Sequence, residues 1–365
     1  IGTVAVRIGD FVDEHASRQT TPESLDVQRL LRQMVEAGVD TAILEATSHG
    51  LDLHRLDQVR FTVGAVTNIT HEHLEHHKTI AAYRRAKGIL FERVAEVGGV
   101  AVVNADDEGA REMIPYAAGA RVMTYSTETC DAGIVASAID SHRDGSSFVL
   151  EFEGRREPVR LPLIGRFNVA NALCAVGVSL ALEMPVAEIA SKLSNVPAVP
   201  GRMAPVVMGQ PYSVVIDYAH TPESLAKVLE LLRSLEPDGR IITVVGSAGE
   251  RDTTKRPLQG RVAAELGDVV VVTDEDPRHE DPRQIIAEIA AGARAGGARD
   301  GETLFEIVDR AEAIRHALSL AKPGDRVLLA GKGHEKSIIT GHEKRPWDEA
   351  EVARDALCDL GWDAD

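Results

Sequence analysis

Cysteine is scarce: Cys130, Cys174 and Cys358 are the only three in 365 residues. Their odd count and wide spacing exclude a disulfide framework, fit a reducing compartment and leave three structural thiols as the plain reading. Basic charge is also short. Forty Lys and Arg against 57 Asp and Glu give a formal charge of −17, which argues against nucleic acid as the main partner. A local basic pocket for a small anionic substrate stays compatible with that exterior. No apolar run approaches the ~20 residues of a membrane-spanning helix, and no signal peptide stands at the start. The chain is therefore expected in the cytoplasm without membrane insertion; it is also expected to be a monomer. It holds no GxxxxGK[ST] or GxxGK[ST] phosphate loop, no G-x-S-x-G elbow and no H-E-x-x-H.

What is present is ample apolar material, 44% of residues, in a length that suits two domains. Strands are expected at Val4–Ile8, 42–45 and Val63–Thr67, alternating with helices over 25–37, 79–91 and 108–117. That rhythm indicates a mainly parallel sheet with covered faces. Residues 132–163 break it, alternating apolar and polar residues around Asp144-Gly145 and Gly154, and predict a small antiparallel sheet appended to the parallel one. A helix follows over 168–182. The stretch NVPAVPGRM, with two prolines and a glycine, marks the boundary between a first domain, 1–199, and a second, 200–365. Beyond it, strands at 213–218, 241–246, 268–273, 304–308 and 326–330 alternate with helices near 222–234, 255–266, 283–293, 310–321 and 348–360. The second domain thus reads as a Rossmann-like open α/β fold whose strand ends bind a ligand. The first residues, IGTVAVRIG, read as an interior strand without an initiator methionine, so a segment upstream is expected.

Several stretches carry candidate chemistry. Glu45 ends an apolar strand and is followed by Ala46-Thr47-Ser48, a place where magnesium finds a hard oxygen ligand; a water-facing strand-end acid is the plainer alternative. His73, His76 and His77 form the densest histidine cluster. A solvated polar segment fits it best, one functional histidine next, and structural zinc least, since no cysteine accompanies it. Lys87 shares a helical stripe with Tyr83 and Phe91, so it either snorkels or is paired or chemically altered, two readings of equal weight. In the second domain GSAGERDTTKRP follows a strand and opens a helix, so its backbone N–H groups and Arg251, Lys255 and Arg256 suit a phosphate. TDEDPRHEDP supplies Arg278 for a carboxylate, and AGKGHEKS places Lys332, His334 and Glu335 on a glycine-flanked turn. Each loop alone also fits solvated punctuation; several on one sheet edge favour a site.

In one order, TTPES, EATSHGL, TNIT-x-EHL, YRRAK, NADD, GRFNVAN, PGRM, DYAHTPESL, GERD-x-x-KRP, DEDPR-x-EDP, DRAEAI and GKGHE resemble the Mur ligases. These are ATP-dependent amino-acid-adding enzymes of peptidoglycan synthesis, and the nearest branch is the MurE type, which adds the third residue. The resemblance covers essentially the whole chain and implies that it holds the family's central ATP-binding and C-terminal domains. The family's GxxGKT loop and N-terminal domain lie before the counterpart of IGTV, so both are expected to be missing here and residues 1–365 alone to be inactive. The resemblance implies that Lys87 is carbamylated and, with Glu45 and His73, holds Mg2+. Thr20, Thr21, Thr47 and Arg55 match residues that bind the UDP-MurNAc-dipeptide. Asn171, Arg202, Asp217 and His220 match the ATP site, with His220 also counted among the catalytic groups. Asp276, Arg278, Gly331 and Glu335 match contacts to the incoming diamino acid.

Departures from the family pattern are Glu72 and Glu75 for two aspartates, Thr47 for a serine, Leu53 for a glutamine, and Glu275-Asp276-Pro277-Arg278 where diaminopimelate-adding enzymes usually read D-N-P-R. An aspartate at 276 attracts a side-chain ammonium and repels a distal carboxylate, which favours lysine or ornithine over meso-diaminopimelate, whereas Arg278 points the other way. The alternatives are another ligase of the superfamily, of folylpolyglutamate or cyanophycin type, and a non-catalytic Mur-like subunit.

Overall fold

The computed structural model describes residues 1–13, 19–69, 74–142, 145–235 and 238–363. The chain divides into two compact units, Ile1–Val196 and Pro197–Asp365. Both are α/β, as the alternation predicts.

In the first unit one six-stranded sheet runs Val63–Val66, Val100–Asn104, Arg121–Ser126, Ile134–His142, Gly145–Phe152, Arg155–Leu161. The first four strands pair in parallel, and the last three form the expected antiparallel meander, which continues the parallel sheet instead of standing apart. The helix Ile80–Glu96 begins where the Thr79 hydroxyl accepts the Ala82 N–H at 3.1 Å. It buries Tyr83, Ala86, Phe91 and Val94, at the three-to-five-residue spacing of one helical face. The helix expected through residue 117 stops at Arg111 and resumes as a 3₁₀ turn, Ile114–Ala117. Pro115 lacks the N–H that a continuing α-helix needs.

Two expectations at the start of this unit are corrected. Val6–Ile8 pairs with Phe11–Asp13 as a separate two-stranded hairpin. Residues 41–47, read as including a strand over 42–45, form none. The segment exchanges two backbone bonds with Ile1, whose ammonium donates to Ile43 O and whose carbonyl accepts the Glu45 N–H, too few for a ladder.

The second unit holds a sheet ordered Leu304–Glu306, Val269–Val272, Ile241–Val245, Arg326–Ala330, Ser213–Asp217, Ala204–Pro205, parallel except at the last strand. Every residue of Ile241–Val245, Val269–Val272 and Arg326–Ala330 is buried, as expected for central parallel strands covered on both faces. Alternate residues serve opposite cores. Val215, Val245 and Leu328 pack with Leu229, Ala263 and Ile289, while Ile216, Val244 and Leu329 pack with Ile314, Ala317 and Leu357. Each fully buried Val, Leu or Ile among them contributes about 1.5–3 kcal/mol. A hairpin, Ser337–Thr340 with Glu343–Pro346, was not anticipated. Among the described residues no helix is long and apolar enough to cross a membrane.

Candidate active-site residues of the two units

In the first unit four separated stretches meet in a hydroxyl network. Thr21 Oγ1 donates to Glu45 O at 2.8 Å, lies 2.9 Å from Thr47 Oγ1 and accepts the Thr47 N–H at 3.0 Å. Arg55 Nη1 donates to Thr21 O at 3.0 Å, and its other arm pairs with Glu23 at 2.7 Å. Glu45 Oε2 accepts from the Thr3 N–H and hydroxyl at 2.9 and 2.8 Å, and Thr3 Oγ1 is 2.9 Å from Thr20 Oγ1. Thr47 also caps the helix Ser48–Asp52, accepting the Gly50 N–H at 3.0 Å. The fold therefore gathers Thr20, Thr21, Glu45, Thr47 and Arg55, and adds Thr3, which no sequence signal singled out.

Lys87 is half-buried rather than buried, its ammonium 5.9 Å from the centroid of the buried Tyr83 ring. His73 lies outside the described residues. Glu45 is exposed and offers a hard carboxylate oxygen, a donor that suits Mg2+. Asn171 is exposed on the helix Arg166–Ala181, with its amide 3.4 Å from Asn168 Oδ1.

In the second unit the strand ends carry a denser, drier arrangement. Asp217 is 6% exposed and accepts the Met203 and Ala219 N–H groups at 2.8 and 2.9 Å; burial raises its pKa above the ordinary carboxylate value, against the pull of those bonds. Arg202 stacks over Tyr218 at 4.9 Å, and Tyr218 packs beside His220 and His334 at 4.6 and 5.2 Å. His220 Nδ1 is 2.8 Å from Tyr218 O, while its own carbonyl accepts from Lys255 Nζ and Gln259 Nε2 at 2.9 and 2.8 Å. Burial lowers the pKa of Lys255. Gly201, at φ +67°, approaches the 333–334 backbone so closely that a Cβ would stand 2.2 Å from His334 N. That contact brings Arg202 beside the GKGHE turn.

The motif Asp274–Arg278 departs most from expectation. Asp276, expected to attract a substrate ammonium, is 2% exposed, and its Oδ1 accepts from Lys332 Nζ and from the Ile339 N–H, both at 3.0 Å. Its charge is met inside the protein, so it holds the loop. Lys332 also binds Glu335 at 2.6 Å and Ser337 O at 2.6 Å. The acid left is Glu275: 6% exposed, its Oε2 accepts no hydrogen bond among the described residues, and burial raises its pKa. A Cβ on Gly331, which sits at φ +104°, would come within 2.5 Å of that oxygen. Arg278 is half-buried in a left-handed conformation, φ +54°, with backbone bonds to Ile339 and Gly341. Arg256, read as part of a phosphate-binding cluster, is fully buried and pairs with Glu280 and Glu288 at 2.8 and 2.9 Å. It braces helices, and Lys255 with Arg251 remains for that loop. Arg310 was unmarked. It is wholly buried, paired with Glu349 at 2.6 Å, and donates to Ala330 O at 2.8 Å. Beside it a cavity of about 740 Å³ is lined by Asp274, Glu306, Asp309, Glu343 and Arg345. Burial pushes the Asp274 pKa up to about 6.

The model of the Mur ligase middle domain matches residues 1–179, and that of the Mur ligase, glutamate ligase domain matches 201–333. This chain belongs to the Mur ligase family. A UDP-N-acetylmuramyl-tripeptide synthetase of Roseiflexus sp. (strain RS-1) is 48% identical, over 99% of this Mur ligase and 73% of the relative. A UDP-N-acetylmuramoyl-L-alanyl-D-glutamate–2,6-diaminopimelate ligase of Geobacillus thermodenitrificans is 40% identical, over 98% and 72%. A solved structure under that same enzyme name superposes with a TM-score of 0.68 at 31% identity, covering 99% of this Mur ligase and 72% of that chain. A folylpolyglutamate synthase of Mycobacterium tuberculosis, at 20% identity and TM-score 0.62, shares the fold. Mur ligases are ATP-dependent ligases, generally with Mg2+, and the family assignment makes this chain one of them.

Proposed function

We propose that this Mur ligase performs the MurE-type step of peptidoglycan precursor synthesis, joining a diamino acid to UDP-MurNAc-L-Ala-D-Glu at the cost of ATP. The observation that carries this reading is the hydroxyl network of Thr3, Thr20, Thr21 and Thr47 with Arg55 and Glu45. The resemblance assigns Thr20, Thr21, Thr47 and Arg55 to the muramoyl-peptide, and a cluster of hydroxyls with a guanidinium supports that reading because the peptide is an anion rich in acceptors.

The terminal carboxylate of the dipeptide takes the γ-phosphoryl group, and the amino acid's amine then displaces phosphate from the acyl phosphate, giving amide, ADP and phosphate. Both partners of the first step are anions, so charge compensation and alignment are the protein's main tasks. Glu45, His73 and Lys87, the last as a carbamate, are the residues proposed to hold Mg2+, which offsets phosphate charge when bound. On the second unit, Arg202, Asp217 and His220 are proposed for the nucleotide, and Arg278, Gly331 and Glu335 for the amino acid. Asn171 is the proposed adenine contact on the first.

For the amino acid, lysine or ornithine remains the proposed preference, with its basis moved from Asp276 to Glu275 and Asp274. Glu275 Oε2 accepts no hydrogen bond among the described residues, and Asp274, Asp309 and Glu343 line the cavity beside Arg310, whose charge Glu349 meets. The relatives named as diaminopimelate ligases make that amino acid the competing substrate. Steady-state ligation by the protein as its own gene encodes it, with L-lysine, L-ornithine and meso-diaminopimelate in turn, tests both levels. Amide formation on UDP-MurNAc-L-Ala-D-Glu with a higher kcat/KM for lysine or ornithine is expected. A strong diaminopimelate preference overturns the specificity, and ligation of folate-type acceptors alone overturns the function.

A further inference from the structure

A second cluster in the first unit uses none of the residues proposed above for substrate and Mg2+. The helix Ser48–Asp52 places His49 and Asp52 three residues apart, hence on one face. The helix Leu74–His77 ends on two adjacent histidines. His76 Nε2 is 2.9 Å from Asp52 Oδ2, and one ligand atom from each of Asp52, His76 and His77 lies within 4.8 Å of the others. The His49 ring centroid is 4.1 Å from that of His76 and 5.5 Å from that of His77, and the His76 and His77 rings meet edge to face at 4.6 Å. Among the described residues no other grouping of three or more His, Cys, Asp or Glu side chains converges in this way.

We propose that Asp52, His76 and His77, with His49 as a neighbouring fourth donor, form a binding site for a divalent transition metal of the zinc type. Two ligand atoms at about 2.0–2.1 Å from a tetrahedral ion stand roughly 3.4 Å apart, close to the observed Asp52–His76 separation, and rotation about side-chain bonds closes the wider gaps. Imidazole nitrogens with one carboxylate select zinc, cobalt or nickel over magnesium, which demands oxygen ligands. The burial gradient also fits an anchored site open on one side: His77 is 7% exposed, His49 and His76 are half-buried, and Asp52 faces solvent. The ion would join the two helices across 24 residues of chain, holding the far end of the short helix whose N-cap is Thr47. From the sequence, structural zinc fits least because no cysteine accompanies the histidines; the carboxylate and the third imidazole come from a helix distant in the chain, which local spacing does not join to them.

The test is titration of the apoprotein with Zn2+ and, separately, Co2+ in millimolar Mg2+, reading heat, the visible Co2+ bands and the thermal midpoint. One equivalent is expected to bind, with tetrahedral Co2+ bands and a raised midpoint, since a ligand specific to the native state stabilises it. His76→Ala and Asp52→Asn, neither in a buried position, are each expected to weaken Zn2+ binding more than about tenfold. His342→Ala, at the exposed pair His279–His342 whose rings are 4.6 Å apart, is expected to leave it unchanged. Absence of stoichiometric binding, or equal binding by wild type and both ligand variants, overturns the site; the Asp52–His76 contact is then an ordinary hydrogen bond.

Discussion

The first unit joins its candidate site residues through neutral groups at loop ends, the Thr3 hydroxyl pairing with that of Thr20 and the Thr21 hydroxyl with that of Thr47, beside an exposed Glu45 and a half-buried Arg55. The second unit holds its own through buried charge at the carboxyl ends of a parallel sheet, where Lys332 meets Asp276 and Glu335, and Arg310 meets Glu349. The two arrangements answer different demands. A hydroxyl both donates and accepts, so the first network is able to exchange internal bonds for bonds to a polyanion at little cost. A buried ion pair is rigid: desolvation has already been met in folding, and losing one partner leaves an unpaired charge in a dry place. The second unit is therefore the more preorganised and the less tolerant of substitution.

That contrast breaks or sharpens under three substitutions. Glu349→Ala strands Arg310, which has no exposed surface in its side chain, and also removes the acceptor that fixes Trp347 Nε1 at 2.7 Å. A loss of about 3–5 kcal/mol in urea unfolding is expected, confined to the transition of the second unit. A loss below about 1 kcal/mol would mean that water reaches the pair and that the contrast is overstated.

Thr21→Val keeps the shape but removes the hydroxyl that serves Glu45 O, Thr47 Oγ1 and the Thr47 N–H. About 1–2 kcal/mol is expected from the thermal transition of the first unit, because the part-buried Thr47 N–H loses its acceptor. A cost matching that of Glu349→Ala would put the two networks on the same footing. The smallest effect is one of pH. Asp274 has its pKa pushed from 3.8 to about 6 by burial, so between those values the native state keeps a proton that the unfolded chain has released. Stability from this group is full below about 3.8 and is lost as pH rises through about 6. Asp274→Asn is expected to flatten that decline in a series of thermal midpoints from about pH 4 to 7. An unchanged slope would show a well-hydrated carboxylate and an open cavity edge.

Apolar alternation and turn residues made the α/β class and the second unit's strands legible in the chain itself. Ile241–Val245 and Arg326–Ala330 are apolar runs that fit only a covered parallel sheet, and the loops after them carry motifs specific enough to point to the family. The strand expected over 42–45 had the same apolar look, yet a strand needs a neighbour, and propensity does not report whether one is in register. The eventual company of a charged side chain was equally hidden. Asp276 and Arg256 sit in motifs that read as ligand contacts, and only the packing reveals Lys332 beneath one and Glu280 with Glu288 around the other.

Local sequence thus determined the element types, the order of the loops and the chemical vocabulary at each strand end, because periodicity and turn chemistry act over a few residues. The tertiary structure decided which charges are neutralised internally, leaving Glu275 Oε2 without a hydrogen bond among the described residues, and which distant groups meet, as Asp52 and His76 do. Burial and long-range pairing are properties of the folded chain, and an electrostatic role follows from them more than from the residue's name.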